Sequence, residues 1–218
     1  MENGLQTINK ASDMKFNSLI LGKASDEGFK VDLDTPTYSW EDQLGPIIIR
    51  GLGAADPSWT NYKGNISQYE FSVNDLVTNM FHITHEYALG TDIYLHIHWS
   101  HDSATVTTGA PTFECEVTWS KGHNQEAFGT NITTTISENA STTQYQHMIT
   151  EVQLSAASPS ASQLDSDDLE IDGLLLIRTK LTANTMDGSA KPFIHNIDLH
   201  FQSTGIGTKN KAPNFYGA

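Results

Sequence analysis

Between Thr91 and Ser100, the residues Ile93, Leu95, Ile97 and Trp99 alternate without a break with Tyr94, His96 and His98. Between Thr112 and Lys121, Phe113, Cys115, Val117 and Trp119 alternate in the same way with Thr112, Glu114, Glu116 and Thr118. Successive side chains on a strand point to opposite faces, so a two-residue period makes one face greasy and the other wet. A helix would scatter the same apolar residues around its circumference. Ile197, Leu199 and Phe201, set against Asp198, His200 and Gln202, repeat the pattern near the C-terminus. Strands that are apolar on one side only belong to antiparallel sheets packed face to face.

Composition agrees. The 218 residues include 24 Thr and 19 Ser, while charged residues make up only 17%; a helical bundle would be richer in Glu, Lys, Ala and Leu. Strand candidates are Gln68–Val73, Met80–Thr84, Thr91–Ser100, Thr112–Lys121, Ala127–Ile136, Tyr145–Leu154, Ile171–Leu181 and Ile194–Ser203, with Gly-, Asn-, Ser- and Pro-bearing turns between them. Short strands spaced in this way predict an all-β fold, an antiparallel, jelly-roll-like β-sandwich. In Ile171–Leu181 the run Leu174-Leu175-Leu176-Ile177 is continuous, which predicts a central strand covered on both faces.

A chain of this length can bury about 70% of its unfolded surface in one core. Residues 61–204 carry the regular pattern and form the expected sandwich domain. Residues 1–60 read as an extended N-terminal arm: short apolar patches at Asn17–Leu21 and Gly28–Leu33, then Glu41–Trp59, in which Pro46 and Pro57 flank one short strand, Ile47-Ile48-Ile49. Residues 205–218 form a short tail with Lys209 and Lys211 and no acidic residue. Trp40, Ile47, Ile48, Ile49, Trp59, Phe215 and Tyr216 are the candidate interface residues, since aromatic anchors near chain ends hold subunits together. The arm is expected to contact a neighbouring subunit.

With 26 Asp and Glu against 12 Lys and Arg, the net charge is −14. Nucleic acid and anionic membranes call for a basic surface, so neither is an expected partner. No apolar run approaches the ~20 residues that cross a bilayer as a helix, and Met1–Lys10 lacks the features of a signal peptide. The single cysteine, Cys115, excludes an internal disulfide and alternates with core residues, which marks it as packing.

The densest chemistry is His96-x-His98, with His82, His85 and His101 nearby. Residues two apart on a strand lie about 6.5–7 Å apart on one face, so both imidazoles can reach one ion. If Thr91–Ser100 and Thr112–Lys121 formed a hairpin, His98 would face Glu114 and His96 would face Glu116. Those four side chains would make a zinc, nickel or iron site. The preferred reading is a row of cross-strand His–Glu pairs with no metal and no cofactor. A trimer axis gathering histidines from three chains is a third arrangement. Catalytic signatures are lacking: there is no H-E-x-x-H, no P-loop and no G-x-S-x-G. The acidic run Asp165 to Asp172 departs from a calcium loop, with Leu169 and Glu170 where a ligand and a glycine are required, and reads as a solvated loop.

The stretch from His85 to Trp99, HEYALGTDIYLHIHW, resembles a motif of structural proteins from tailed bacteriophages, H-[DE]-Y-x-x-G-T-D-[IL]-x-x-H-[IV]-H-W. Ile197 to Lys211, IDLHFQSTGIGTKNK, resembles their closing strand and tail. Pro46–Trp59 fits the upstream pattern, so the likeness spans roughly Glu41 to Tyr216. The resemblance implies a β-sandwich that assembles with copies of itself on the particle, and it implies no catalytic residues.

The expected function is therefore that of a non-enzymatic bacteriophage virion protein. It would be a head decoration (cement) or surface-spike protein on the particle exterior, made in the bacterial host cytoplasm. Its expected partners are itself, as a homotrimer by phage analogy, and the major capsid protein or other virion proteins. The alternatives are a tail, collar or fibre-base component involved in host adsorption and, from a different class, a metal-dependent enzyme using the His96/His98 pair.

Overall fold

A computed structural model describes residues 18–22, 28–32, 37–49, 53–123 and 125–215. The chain divides into two compact units, Met1–Thr37 and Tyr38–Ala218. In the first, β1 (Ser18–Gly22) and β2 (Gly28–Asp32) form an antiparallel pair with Leu19 opposite Val31. Met1–Asn17 of the expected arm lie outside the described residues.

The second unit is an antiparallel β-sandwich. One sheet is built from β3 (Ser39–Gly45), β4 (Ser58–Lys63), β5 (Ile66–Glu70), β7 (Ile93–Ser100), β10 (Met148–Gln153) and β14 (Phe193–Ser203). Its order is β10-β7-β14-β5-β4, with β3 paired to β14 as well. The other sheet, in the order β6-β13-β8-β9, comprises β6 (Leu76–His82), β8 (Pro111–Ser120), β9 (Ile132–Ser137) and β13 (Leu174–Asn184). A small parallel pair, β11 (Ser155–Ala156) and β12 (Leu164–Asp165), closes one side.

The core lies between the two sheets and is filled by the residues that alternation assigns to the greasy faces. Ile93, Leu95, Ile97 and Trp99 of β7 and Ile197, Leu199 and Phe201 of β14 meet Phe113, Cys115 and Val117 of β8 and Leu175, Ile177 and Leu181 of β13. Trp99 is fully buried against the edge of Phe113, with ring centroids 6.3 Å apart. Its indole N–H donates to Thr150 Oγ1 at 2.8 Å, so the polar atom of the largest core side chain is satisfied. Removing such a ring costs about 3–5 kcal/mol. Burial pushes the Cys115 thiol up to about 12, as expected of a packing cysteine.

Several expectations need correction. The segments Thr91–Ser100 and Thr112–Lys121 do not form a hairpin: β7 pairs with β10 and β14, while β8 pairs with β13 and β9. The connection between them crosses from one sheet to the other. Val106 is buried within it, and Asp187 holds it by accepting from Thr107 N at 2.9 Å and from Thr107 Oγ1 at 2.5 Å. Strand β13 is central in its sheet, yet only one of its faces is covered; Leu174 is half-buried and Leu176 exposed on the other. Trp119 is half-buried rather than buried, with the Lys121 ammonium 5.8 Å from its ring.

The segment 38–60 belongs to the sandwich unit. Ser39–Gly45 pairs with β14 from Ser203 to Ile197, and the strand falls there rather than at Ile47-Ile48-Ile49. Ile48 makes a single bridge to Thr78, while Ile47 and Ile49 pack against the core. Main-chain pairing along β14 holds Ser39–Gly45 in place without any apolar alternation of its own.

Candidate functional site

The two sheets put the histidines into distinct settings. Five of the nine lie on or beside the outward face of the β10-β7-β14-β3 sheet, and register explains how. His96 pairs with Glu151 on one side and Asp198 on the other; His200 pairs with Tyr94 and Asp42; Gln202 pairs with Trp40. The His96 and His200 rows therefore set an imidazole beside a carboxylate, drawn from segments as far apart in sequence as residues 42 and 200, and the next row sets Trp40 beside the Gln202 amide.

The contacts follow these rows. His96 Nε2 lies 3.0 Å from Glu151 Oε2, and its Nδ1 lies 3.4 Å from Asp198 Oδ2. His98 Nε2 is 2.6 Å from Asp198 Oδ1, and its Nδ1 is 2.8 Å from His147 Nε2. His200 Nδ1 is 2.5 Å from Asp42 Oδ1. The rings stack in series: Trp40 on His200 at 4.6 Å, His200 on His96 at 4.4 Å, and His98 on His147 at 5.0 Å. Nearby, His195 Nε2 lies 2.7 Å from Ser100 Oγ, which is 2.6 Å from the Tyr62 hydroxyl.

Asp198 is the unexpected member. It lies on the wet face, as alternation requires, but the side chain is only 2% exposed beneath the imidazoles. Burial pushes its carboxyl above the ordinary 3.8, against the opposing pull of His98 and His96. Burial likewise holds His98 below 6.5, with Asp198 pulling the other way. Two triads bring one ligand atom from each residue within 4.8 Å of one another: His96, His98 and Asp198, and Asp42, His96 and His200.

Glu114 and Glu116, the expected partners of His98 and His96, are on the other sheet. There Arg178 Nη2 takes both, at 2.8 Å and 3.0 Å. The His–carboxylate rows are present, but with Glu151, Asp198 and Asp42 as the acids. Sequence reasoning missed these three because strand pairing, unlike face, leaves no mark on the local pattern.

A second cluster gathers His82, His85 and His123 around Asp172. His82 and His85 each place Nε2 3.1 Å from Oδ1, and His123 places Nε2 2.6 Å from Oδ2. Phe215 closes over it with edge contacts to His85 and His123 and is 6% exposed. The tail thus folds onto its own chain through Phe215, with the Thr208 hydroxyl 2.5 Å from His85 Nδ1, rather than presenting that ring to a neighbour. Tyr216 lies outside the described residues. Of the other interface candidates, Trp40 and Trp59 are exposed, Trp59 resting on Tyr69 at 4.6 Å, and Ile47, Ile48 and Ile49 are half-buried.

Among the described residues no helix is long and apolar enough to cross a membrane. No family model matches the chain, and no curated protein does. Solved structures similar to it include the carbohydrate-binding module TmCBM61 in complex with β-1,4-galactotriose, at 8% identity and a TM-score of 0.29, over 75% of this chain and 88% of that one. A family 11 carbohydrate-binding module from Clostridium thermocellum matches at 12% identity and a TM-score of 0.33, over 85% and 96%. The CBM22-1–GH10 modules of a Clostridium thermocellum xylanase match at 10% identity and a TM-score of 0.31, over 78% of this chain and 27% of that one. Likeness at this level carries neither ligand nor role to this protein.

Proposed function

We propose that the chain is a non-enzymatic virion structural protein of a tailed bacteriophage, a head decoration or surface-spike protein that bridges capsid subunits. The observation that carries this reading is that the two stretches resembling phage proteins, far apart in sequence, are one piece in space. β7 runs beside β14; Tyr87 bridges Ser203; Ala88 N donates to Gln202 O at 2.9 Å and Thr204 N to Glu86 O at 2.8 Å. The Tyr87 ring is buried and its hydroxyl donates to the Thr91 carbonyl. Most of these contacts are main-chain bonds that brace a corner of the sandwich, work suited to a stiff building block.

Self-assembly, as a homotrimer, is part of the proposal. The outward face of β6 and β13 supports it: Met80 and Leu176 are exposed there, beside Ile48 and the Arg178–Glu116 pair. Quantitative mass spectrometry of purified particles tests the reading. A copy number on the scale of the major capsid protein is the expected result. A copy number on the scale of the tail would move the protein to the tail, collar or fibre base, with a role in adsorption, and absence from the particle would overturn the proposal.

A further inference from the structure

Independently of any place in a virion, we propose that His96, His98 and Asp198 form a binding site for one divalent transition-metal ion of the zinc type, tying β7 to β14. Register builds the site. Asp198 stands directly opposite His96, and His98 is two residues along on the same face. One ligand atom from each lies within 4.8 Å of the others, a spacing that a single ion can span.

The hydrogen bonds behind the site aim the donors inward. Glu151 can only accept, so at His96 the proton sits on Nε2, and Nδ1 turns its lone pair toward Asp198 Oδ2. At His98, Nδ1 is engaged by His147, which leaves Nε2 directed at Asp198 Oδ1. Outer partners of this kind fix the ring orientation of metal-binding histidines. Two ring nitrogens therefore converge on one carboxylate; a cation relieves the facing lone pairs of His96 Nδ1 and Asp198 Oδ2, and at His98 it takes the place of the proton that Nε2 shares with Oδ1.

A second observation is independent of that geometry. Asp198 Oδ2 is buried and accepts no hydrogen bond from the described residues, while Oδ1 takes both His98 and Asn196. A carboxylate oxygen left unpaired in the interior is costly, and an ion supplies the missing partner. Two imidazoles with one carboxylate select zinc and its neighbours over magnesium and calcium, which prefer all-oxygen shells. A tetrahedral zinc would take water or an outside group as its fourth ligand.

The test uses the full chain, stripped with chelator and titrated with zinc chloride by calorimetry, with bound metal counted after dialysis and folding checked by circular dichroism. One equivalent per chain is expected, with a rise in melting temperature and no competition from magnesium. His98→Gln and Asp198→Asn should abolish binding. Glu151→Gln, which touches only the orienting bond, should weaken it by about 10-fold or more. His200→Gln and His123→Gln should bind as wild type does. His98 is 20% exposed, so its variant should stay folded even if that of Asp198 does not. Lack of saturable zinc binding by the folded protein, undiminished binding by His98→Gln, or loss of binding in His200→Gln would each overturn the proposal.

Discussion

His195 shows how a single side chain can make this fold sensitive to acid. Its Nε2 meets the Ser100 hydroxyl, which in turn meets the Tyr62 hydroxyl. The neutral ring accepts from Ser100, and Ser100 accepts from Tyr62; a proton on Nε2 would force that chain to reverse. Burial holds the imidazole below its ordinary 6.5, with His147 and His98 adding repulsion to the charged form. The unfolded chain therefore takes up this proton first as pH falls. Stability carried by His195 is intact above about 6.5 and is lost below it, until the folded state is protonated too. His98 shifts in the same direction, while Asp198, raised, acts with the opposite sign and closer to the carboxylate range. Thermal melts stepped down from neutral to about pH 5.5 should therefore show a larger fall in wild type than in His195→Gln. Equal falls would assign the acid sensitivity to other groups.

At the scale of elements, the connection between β7 and β8 decides the architecture, and Gly109 is its tightest point. Its φ is +101°, and a Cβ there would lie 2.2 Å from the Thr185 carbonyl oxygen and 2.6 Å from Met186 Cα, both backbone atoms. Gly64, at φ +60° in the β4–β5 turn, has nothing within 4 Å. Urea unfolding should separate the two. Gly64→Ala should cost only the conformational penalty of about 1 kcal/mol, and Gly109→Ala clearly more, because the crossing must shift as well. A Gly109→Ala variant as stable as Gly64→Ala would mean that the crossing adapts at no cost. This crossing also marks the limit of what was legible in advance. Faces were readable: Ile93 to Trp99, Phe113 to Val117 and Ile197 to Phe201 all point inward as their spacing requires. Partners were not, because a two-residue period is the same whichever strand lies alongside. His96 and His98 were thus found, whereas Asp198, about a hundred residues further along, and Glu151 were not. Strands β3 and β4 escaped for a related reason: SWEDQLG and SWTNYK are polar segments held by main-chain bonds, and these leave no hydrophobic signature.

For the whole molecule, the apolar side chains left on the outward faces of the sheets bear on assembly. The outward face of the β7–β14 sheet carries stacked rings and paired acids, with Trp40, Leu44 and Ile149 exposed around them. The outward face of β6 and β13 also leaves apolar side chains to solvent: Met80 on the edge strand β6 and Leu176 on β13, which has partners on both sides. Leu174-Leu175-Leu176 sends its first and third residues to that face. Apolar side chains held on paired strands can be buried against another copy at little entropic cost, each returning a part of the about 1.5–3 kcal/mol of full burial, since each is already half-covered. Under the assembly reading, the purified chain should sediment as an oligomer. Met80→Glu combined with Leu176→Glu should shift it to monomer with its circular dichroism unchanged, since neither side chain reaches the inner layer. A folded double variant that sediments as wild type does would move the contact to another surface, with exposed Trp59 as the next anchor to change.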